Sequence, residues 1–231
     1  MKIFAISDLH LSNSTNKPMD VFGYGWVNHW QKIRENWVER VTEEDVVLIA
    51  GDVSWGMNIQ QAIVDLQQID ELPGKKVIIR GNHDYWWSTY KKICQLNLKS
   101  IVFIQNNAEK IGNYIFCGTR GWDVPESNET QSEEDKKIFD RELIRLELTL
   151  KEAQKLKTNN EEIIGLIHYP PFNSKFEDSQ FVELFLKNNV KRVVYGHLHG
   201  SQVRVNPEVD KHGTKFYLTS CDFLKNELLE L

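Results

Sequence analysis

Residues 77–84 read VIIRGNHD, an apolar run that is followed at once by a cluster of polar side chains. Two similar stretches precede it in the chain, KIFAISDLH at 2–10 and VVLIAGD at 46–52. Short apolar runs that end in turn residues are typical of strands buried on both faces. Segments with helical spacing, 30–40 and 59–69, separate the three runs. The order βαβαβ predicts a parallel sheet with right-handed crossovers.

The second half of the chain contains further short apolar runs, often separated by turns rather than by helices. The predicted strands are 101–104, 114–117, 163–167, 193–195, 203–205 and 216–219. They predict a second, mixed sheet. Ser132 to Lys157 has the strongest helical pattern, with Ser132 as a candidate cap. We therefore expect an α/β (α+β) fold in which residues 1–231 form a single domain, with a helical insertion around 132–157 on one side of the core.

Composition narrows the class of protein. The 231 residues include 28 Lys and Arg against 33 Asp and Glu, a net charge of −5, with 41% hydrophobic and 26% charged residues. This composition is typical of a globular protein with a substantial core and excludes disorder and fibres. The mild acidity argues against a broad nucleic-acid groove, but it leaves a phosphorylated substrate open because a metal-rich cleft attracts phosphate locally.

Three features predict a cytoplasmic location without membrane contact. Cys94, Cys117 and Cys221 stand far apart, which fits neither a disulfide framework nor a zinc knuckle. The apolar run after Met1 is shorter than the signal-peptide core of about 7 to 15 residues. The chain also lacks the roughly 18 uninterrupted apolar residues that span a bilayer. The oligomeric state stays open.

Polar side chains follow several of the predicted strands. The clusters are Asp8 with His10, Asp52, Asn82 with His83 and Asp84, His168, and His197 with His199. Asp8 and His10 are two residues apart after an extended run, so alternation predicts that both face the same way. Alone, each such residue is more often a capping, surface or packed group. Together they place oxygen and imidazole donors where open α/β sheets bind ligands, and these donors suit two divalent ions.

The order DxH, GD, GNHD, H and GHxH resembles the calcineurin-like metallophosphoesterase superfamily. The motifs span Asp8 to His199. The sequences around them, SDLHL and RGNHDYWW, are most similar to an uncharacterised bacterial branch of predicted phosphohydrolases. The resemblance implies a four-layer αββα sandwich in which helices flank two mixed sheets. It also implies a hydrolase that depends on two divalent metal ions.

The resemblance assigns metal ligands position by position. One ion would be held by Asp8, His10 and His199, the other by Asn82, His168 and His197, with Asp52 as the bridge. A hydroxide shared by the two ions would attack phosphorus in line. Two carboxylates against two divalent cations leave net positive charge, which favours a phosphate oxyanion. Manganese, iron, zinc, nickel and cobalt all accept this donor set.

His83 is the implied general acid for the leaving oxygen, and a capping or substrate-positioning histidine is the alternative. Asp84 would either orient His83 or cap a helix predicted over 85–95. Protein phosphatases of this superfamily read GDxxDRG in the second motif, but this chain has Trp55 and Gly56 in place of the later Asp and Arg. A phosphoprotein substrate is therefore disfavoured.

The segment GTRGWD at 118–123 offers replacements. Arg120 could bind a phosphate oxygen, and Asp123 could support a histidine. The alternative is that the two residues form a surface ion pair in a loop without a functional role. Trp122, with Trp55 and Trp86, would form an aromatic wall for a flat group or simply pack beneath the site.

The predicted function is hydrolysis of a small phosphodiester or nucleotide-like substrate. Two alternatives stay open: a phosphomonoesterase, and a non-catalytic scaffold of the same fold that binds proteins. The scaffold is disfavoured because every ligand position is filled. A nuclease is disfavoured because the chain has no Lys/Arg-rich stripe, so nucleic acid is not an expected partner.

Overall fold

Two mixed β-sheets form the centre of the structure, a computed structural model that describes residues 1–200 and 206–231. The strands are β1 Ile3–Ile6, β2 Val46–Ile49, β3 Lys75–Ile78, β4 Ile101–Phe103, β5 Ala108–Ile111, β6 Tyr114–Thr119, β7 Glu162–Ile167, β8 Arg192–Tyr195, β9 Glu208–Lys211, β10 Thr214–Leu218 and β11 Leu229–Glu230. The α-helices are α1 His29–Arg40, α2 Ile59–Asp70, α3 Tyr90–Ile93, α4 Glu133–Leu156 and α5 Gln180–Lys187. Short 3₁₀ turns occupy Met19–Phe22, Tyr24–Trp26 and Cys94–Leu96.

The first sheet has the order β11-β1-β2-β3-β4 within the described residues. Strands β1 to β4 are parallel, as the βαβαβ pattern predicts, and β11 closes the edge antiparallel to β1. Residues 101–104 were predicted to join the second sheet, and this was wrong. The segment between β3 and β4 crosses over, so β4 pairs parallel to β3, and Ile104 N–H donates to Ile78 at 2.9 Å.

The second sheet has the order β5-β6-β7-β8-β10-β9 in the part of the chain that the structure describes. Strands β6, β7, β8 and β10 are parallel, and the edge strands β5 and β9 are antiparallel to their neighbours. The sequence did not reveal β5 and β9 because their residues, AEKI and EVDK, are largely polar. Such composition is common at sheet edges. The strand predicted over 203–205 lies outside the described residues.

The packing of apolar side chains gives four layers, as the resemblance implied. Alternate residues of the two sheets, among them Ala5, Leu48 and Leu166, share one buried cluster between the sheets. The opposite face of the first sheet packs on α1 and α2 through residues such as Trp37 and Leu66. The opposite face of the second sheet packs on α4 and α5. The α/β prediction of two mixed sheets between helices is confirmed.

Helix α4 begins where its sequence predicts. The Ser132 side chain accepts the Asp135 N–H and so caps the helix. Leu146 and Leu150 are buried against the second sheet, whereas Leu148 is exposed. That α4 belongs to an insertion within one domain stays a prediction. Among the described residues, every helix falls short of the length and apolar character that a bilayer span requires.

We expect Leu150→Ala to lower the free energy of unfolding by about 2 to 5 kcal/mol, because a buried side chain is replaced by a cavity. Leu148→Ala, two residues away in the same helix, is the matched control. Leu150 is 1% exposed and Leu148 is 45% exposed, so the control should lose far less stability. Urea unfolding of both variants measures the difference. Equal losses would show that α4 does not pack through this face.

Candidate metal centre

The polar clusters lie at the carboxyl ends of parallel strands from both sheets. Asp8 and His10 follow β1, Asp52 follows β2, Asn82 and His83 follow β3, His168 follows β7, and His197 and His199 follow β8. Carboxyl ends of parallel strands share one edge of a sheet, so the two packed sheets bring five loops together. All seven predicted ligands therefore lie in this region.

Asp52 is central to the cluster. Asp8, His10 and Asp52 are all buried, and each offers a ligand atom within 4.8 Å of the others. Asp52 Oδ2 lies 3.7 Å from His10 Nε2 and 3.5 Å from His168 Nε2. Asp52 Oδ2 therefore lies between His10, which belongs to one predicted ligand set, and His168, which belongs to the other.

Asn82 brings two histidines from the second sheet together. Its Oδ1 lies 2.6 Å from His168 Nε2 and 3.0 Å from His197 Nδ1. His168 Nδ1 lies 2.8 Å from the carbonyl oxygen of Ala50, which can only accept a hydrogen bond. The proton therefore belongs on Nδ1, and the lone pair of Nε2 faces Asn82 and Asp52.

The remaining predicted ligands are held close by. The His199 ring lies 5.3 Å from the His10 ring between centroids, in an edge contact. Asp8 accepts the backbone N–H of His197 at 3.0 Å and the Ser7 hydroxyl at 2.8 Å. The loops after β1 and β8 are thereby tied to each other through the Asp8 carboxylate.

Four of the predicted ligands have left-handed backbone conformations. The φ angles are 55° at Asp8, 46° at His10, 53° at Asp52 and 71° at His197. Such angles are uncommon for residues other than glycine and are concentrated at functional sites. Asp8 and His10 face the same cluster, as predicted, but strand alternation is not the reason, because β1 ends at Ile6 and a loop aims both side chains.

Glycines allow the loops to approach. A Cβ on Gly51, whose φ is +95°, would lie 2.7 Å from the Cα of Gly81 and 2.8 Å from His168 Nδ1. The backbones after β2 and β3 therefore meet without intervening side chains. This approach lets the Asp52 carboxylate accept the His83 N–H at 2.7 Å.

The buried Asp52 carboxyl group and the neighbouring histidines are suited to a cation. Burial raises the pKa of Asp52 to about 9, and the neighbouring carboxylates of Asp84 and Asp8 add to the shift. Burial lowers the pKa of His168 to about 4 and that of His10 well below its usual value, so both rings are neutral at pH 7. Within the described residues, His10 Nδ1 and Nε2 and Asp52 Oδ2 are buried without a hydrogen-bond partner. Neutral imidazoles and an unpartnered carboxylate oxygen are a donor set suited to divalent metal.

Asp84 plays neither of its two predicted roles. Its carboxylate is fully buried and accepts the backbone N–H groups of Asp52, Val53 and Gly81 at 2.8 to 2.9 Å. It also accepts the Trp86 indole N–H at 2.9 Å. No helix spans 85–89, because α3 begins at Tyr90 after the cap residue Thr89. Burial raises the pKa of Asp84, and the backbone donors oppose the shift. Asp84 therefore positions the loop that carries Asp52.

His83 lies at the rim of the cluster. Its half-buried ring is 4.6 Å from the Trp55 ring and 5.6 Å from the His10 ring between centroids. Burial lowers the pKa of His83, the nearby His199 lowers it further, and Asp8 opposes the shift. The side chain is therefore next to the predicted ligands and accessible from solvent.

The segment 118–123 contacts the second sheet and α4. The Arg120 guanidinium lies 3.4 Å from Glu142 and stacks on Trp122 at 4.8 Å, and Trp122 N–H donates to Asp135 at 3.2 Å. Asp123 is exposed and lines a cavity to which Leu198 also contributes. The substrate-binding roles of Arg120 and Trp122 stay predictions.

Trp86 packs in the core. It is 2% exposed and belongs to the cluster beneath the first sheet. Of the two interpretations of Trp86, packing is therefore the one that the structure supports.

Three aromatic side chains contact the histidines, and two of them, Tyr169 and Trp26, were not singled out as site residues. Tyr169 lies 4.2 Å from the His197 ring, Trp55 stacks on His10 at 4.8 Å, and Trp26 lies 5.8 Å from His199. The position of Tyr169 directly after His168 was a usable signal. Trp26 carries no such signal, because it reaches the site only through the path of the 3₁₀ turn Tyr24–Trp26.

The chain matches the family model of calcineurin-like phosphoesterases over residues 1–201 and belongs to that family. The Gene 66 protein of Mycobacterium phage D29 is 35% identical over 82 residues, which cover 36% of this chain and 40% of the phage protein. The match therefore spans less than half of the phage protein. The crystal structure of a protein of unknown function from Aquifex aeolicus is similar to this structure, with a TM-score of 0.50 and 13% sequence identity. The match covers 99% of this chain and 95% of the Aquifex chain. That likeness supports the fold alone.

We expect Asp84→Asn to destabilise the protein and to weaken metal binding about 10- to 100-fold, the usual effect of losing a partner that orients a ligand. The new amide would direct N–H groups toward the N–H donors that Asp84 accepts. Asp70→Asn is the matched control, because Asp70 also accepts backbone N–H groups, those of Lys99 and Ser100. Calorimetric titration with Mn²⁺ compares the variants. A loss of stability with unchanged affinity would contradict the positioning role.

Proposed function

We propose that this chain is a dinuclear-metal phosphoester hydrolase that acts on a small phosphoester. The observation that carries the proposal is the position of Asp52 Oδ2, which lies 3.7 Å from His10 and 3.5 Å from His168 and has no hydrogen-bond partner among the described residues. Membership of a family of phosphoesterases supports the reaction class.

The ligand sets follow the grouping of the side chains. Asp8, His10 and His199 would hold one ion, Asn82, His168 and His197 the other, and Asp52 both. The donors fit divalent metal because the His10 and His168 imidazoles are neutral and the two carboxylates are buried. Manganese is one of several ions that such donors accept.

Two divalent ions, when bound, lower the pKa of water and withdraw charge from phosphoryl oxygens. The chain itself supplies the arrangement. Asp8 and Asp52 contribute the negative charge that retains cations, and the tightly packed loops hold the ligands in place. Their two charges do not neutralise two divalent cations, so the site keeps a positive charge that favours a phosphate.

His83 is the proposed general acid. Its ring is half-buried beside His10 and free enough to reach a leaving oxygen above the ligand cluster. Burial disfavours its protonated form in the free protein. The negative charge of a bound phosphoester opposes that effect, because an opposite charge favours the charged ring. His83 would then donate its proton to the departing oxygen.

A cavity next to the site offers room for the organic part of the substrate. It has a volume of about 360 Å³ and is lined by Phe172, Phe176 and Leu198, with Asp123 and Asn173 among its polar groups. Leu198 lies between His197 and His199, so the cavity adjoins the proposed ligands. Volumes of a few hundred Å³ are typical of pockets for small molecules. The cavity supports a small ester, such as a phosphodiester or nucleotide-like compound, as the preferred substrate.

The proposal predicts two divalent ions per chain, with Asp52→Asn weakening both sites because it removes the shared charge. Metal-stripped protein reloaded with each candidate ion would be analysed for metal content and tested on generic phosphomonoesters and phosphodiesters. Asp178→Asn is the control, since Asp178 pairs with Lys211 and His212 on the surface. One ion per chain, or full metal content in Asp52→Asn, would rule out the bridged pair.

We expect His83→Ala to lower kcat by about 10² to 10⁴ on esters with poor leaving groups, because the leaving oxygen then departs without a proton. The loss should be much smaller on nitrophenyl esters, whose leaving group needs no proton. His212→Ala, a change at an exposed histidine in an ion pair with Asp178, is the control. Equal losses on both kinds of ester would assign His83 to phosphate positioning instead.

A further inference from the structure

A cleft beside the proposed metal centre is lined by three arginines. Arg80, Arg120 and Arg145 face it together with the carboxylate of Glu142, and Ser88 and Asn106 are among its polar wall residues. Three positive charges against one negative charge leave a formal excess of +2 in the cleft. A protein with a net charge of −5 thus concentrates positive charge at one place.

Glu142 accounts for only part of this charge. It is fully buried, lies 2.6 Å from Arg145 and 3.4 Å from Arg120, and accepts the Thr119 hydroxyl at 2.7 Å. Arg80 forms no ion pair with any carboxylate among the described residues. Neutralisation of Glu142 therefore accounts for the positions of Arg145 and Arg120, but it does not account for the position of Arg80.

Two of the guanidinium groups have unused donors. The Nε atoms of Arg80 and Arg120 are buried, and neither has a hydrogen-bond partner in the described part of the chain. Leaving a buried donor unpaired is costly, more so when the group is charged. Burial lowers the pKa of Arg120, Glu142 opposes the shift, and the nearby Arg80 charge lowers it further. Two like charges with free donors at one cleft favour an anion.

The cleft adjoins the Asn82 and His168 side of the metal centre. Arg80 precedes Asn82 by two residues, so their Cα atoms lie at most about 7 Å apart. The Arg120 carbonyl accepts the backbone N–H of His168 at 3.0 Å. An anion in the cleft would therefore lie close to a phosphoester held at the metals.

We propose that the Arg80, Arg120 and Arg145 cleft is an anion subsite, and that the substrate is a phosphoester with a second phosphate that reaches this cleft while the first is held at the metal centre. Guanidinium groups bind phosphate oxygens through paired, charge-assisted hydrogen bonds. This inference rests on the proposed function, because the hydrolysed phosphate is the one held at the metal centre. It gives Arg120 the second phosphate as its partner.

The test uses two esters that differ by one phosphate. Thymidine 5′-(p-nitrophenyl phosphate) and its 3′-phosphorylated form both release nitrophenolate, so the chemistry of the leaving group is identical. We expect the native chain to have a KM about tenfold lower for the 3′-phosphorylated ester, the factor that 1.4 kcal/mol supplies. Arg80→Gln should remove this preference, and Arg80→Lys, which keeps the charge but loses the paired donors, should remove most of it.

Arg141→Gln is the matched control. Arg141 lies 3.9 Å from Glu142 and is 54% exposed, and it is not among the residues that line the cleft. Its loss changes the charge near Glu142 by the same amount and should leave the preference unchanged. Thermal unfolding of each variant would establish that it is folded. Equal KM values for the two esters in the native chain, or an equal effect of Arg80→Gln and Arg141→Gln, would overturn the inference while the proposed function stands.

A second measurement tests phosphate binding in the arginine cleft without catalysis. The chelator-treated chain of 231 residues would be titrated calorimetrically with inorganic phosphate, which then has no metal to bind. Arg80→Gln should weaken this binding about tenfold, and Arg141→Gln should not. If neither ester is hydrolysed with any metal, the proposed function fails, and the titration alone decides the subsite. If phosphate does not bind, or if Arg80→Gln leaves its binding unchanged, the anion subsite is rejected.

Discussion

The burial of three carboxylates at one end of two packed sheets is the constraint on which the site depends. Asp8, Asp52 and Asp84 are almost completely removed from solvent, and the carboxylates of Asp84 and Asp8 add to the rise that burial causes in the pKa of Asp52. A buried carboxylate needs either hydrogen-bond donors or a positive charge. Asp84 accepts five N–H groups, which hold the loops after β2 and β3 together. Asp52 keeps one oxygen unpartnered, and a metal ion is the partner that the surrounding neutral histidines suit.

The fold meets this constraint by uniting loops that are far apart in sequence. Both sheets contribute parallel strands whose carboxyl ends point the same way, so residues separated by almost two hundred positions become neighbours. Left-handed backbone at four proposed ligands lets these loops turn sharply enough to converge. Gly51 and Gly81 then permit backbone contact where side chains would intervene. The strain is opposed by the well-packed clusters on either side of each sheet.

Charge is distributed unevenly around this centre. The whole chain is acidic, yet three arginines against one glutamate leave a formal excess of positive charge in the cleft beside the proposed metal ligands. Local arrangement rather than net charge therefore governs which substrates are attracted. The apolar cavity beside Leu198 and the arginine cleft involve different elements, which is consistent with a substrate that has an organic group and more than one charged group.

The sequence by itself determined the parallel first sheet, the second mixed sheet, helix α4 and the set of residues that converge, because buried strands and capped helices have local periodic patterns. Their roles as ligands stay predictions. Only the tertiary structure decided that β4 joins the first sheet, that β5, β9 and β11 complete the edges, and that Asp8 and His10 are aimed by a loop. It also decided that Asp84 holds backbone and that Arg80 faces a cleft. Pairing partners, backbone handedness and the direction of a side chain depend on contacts between distant residues, and local spacing does not encode such contacts.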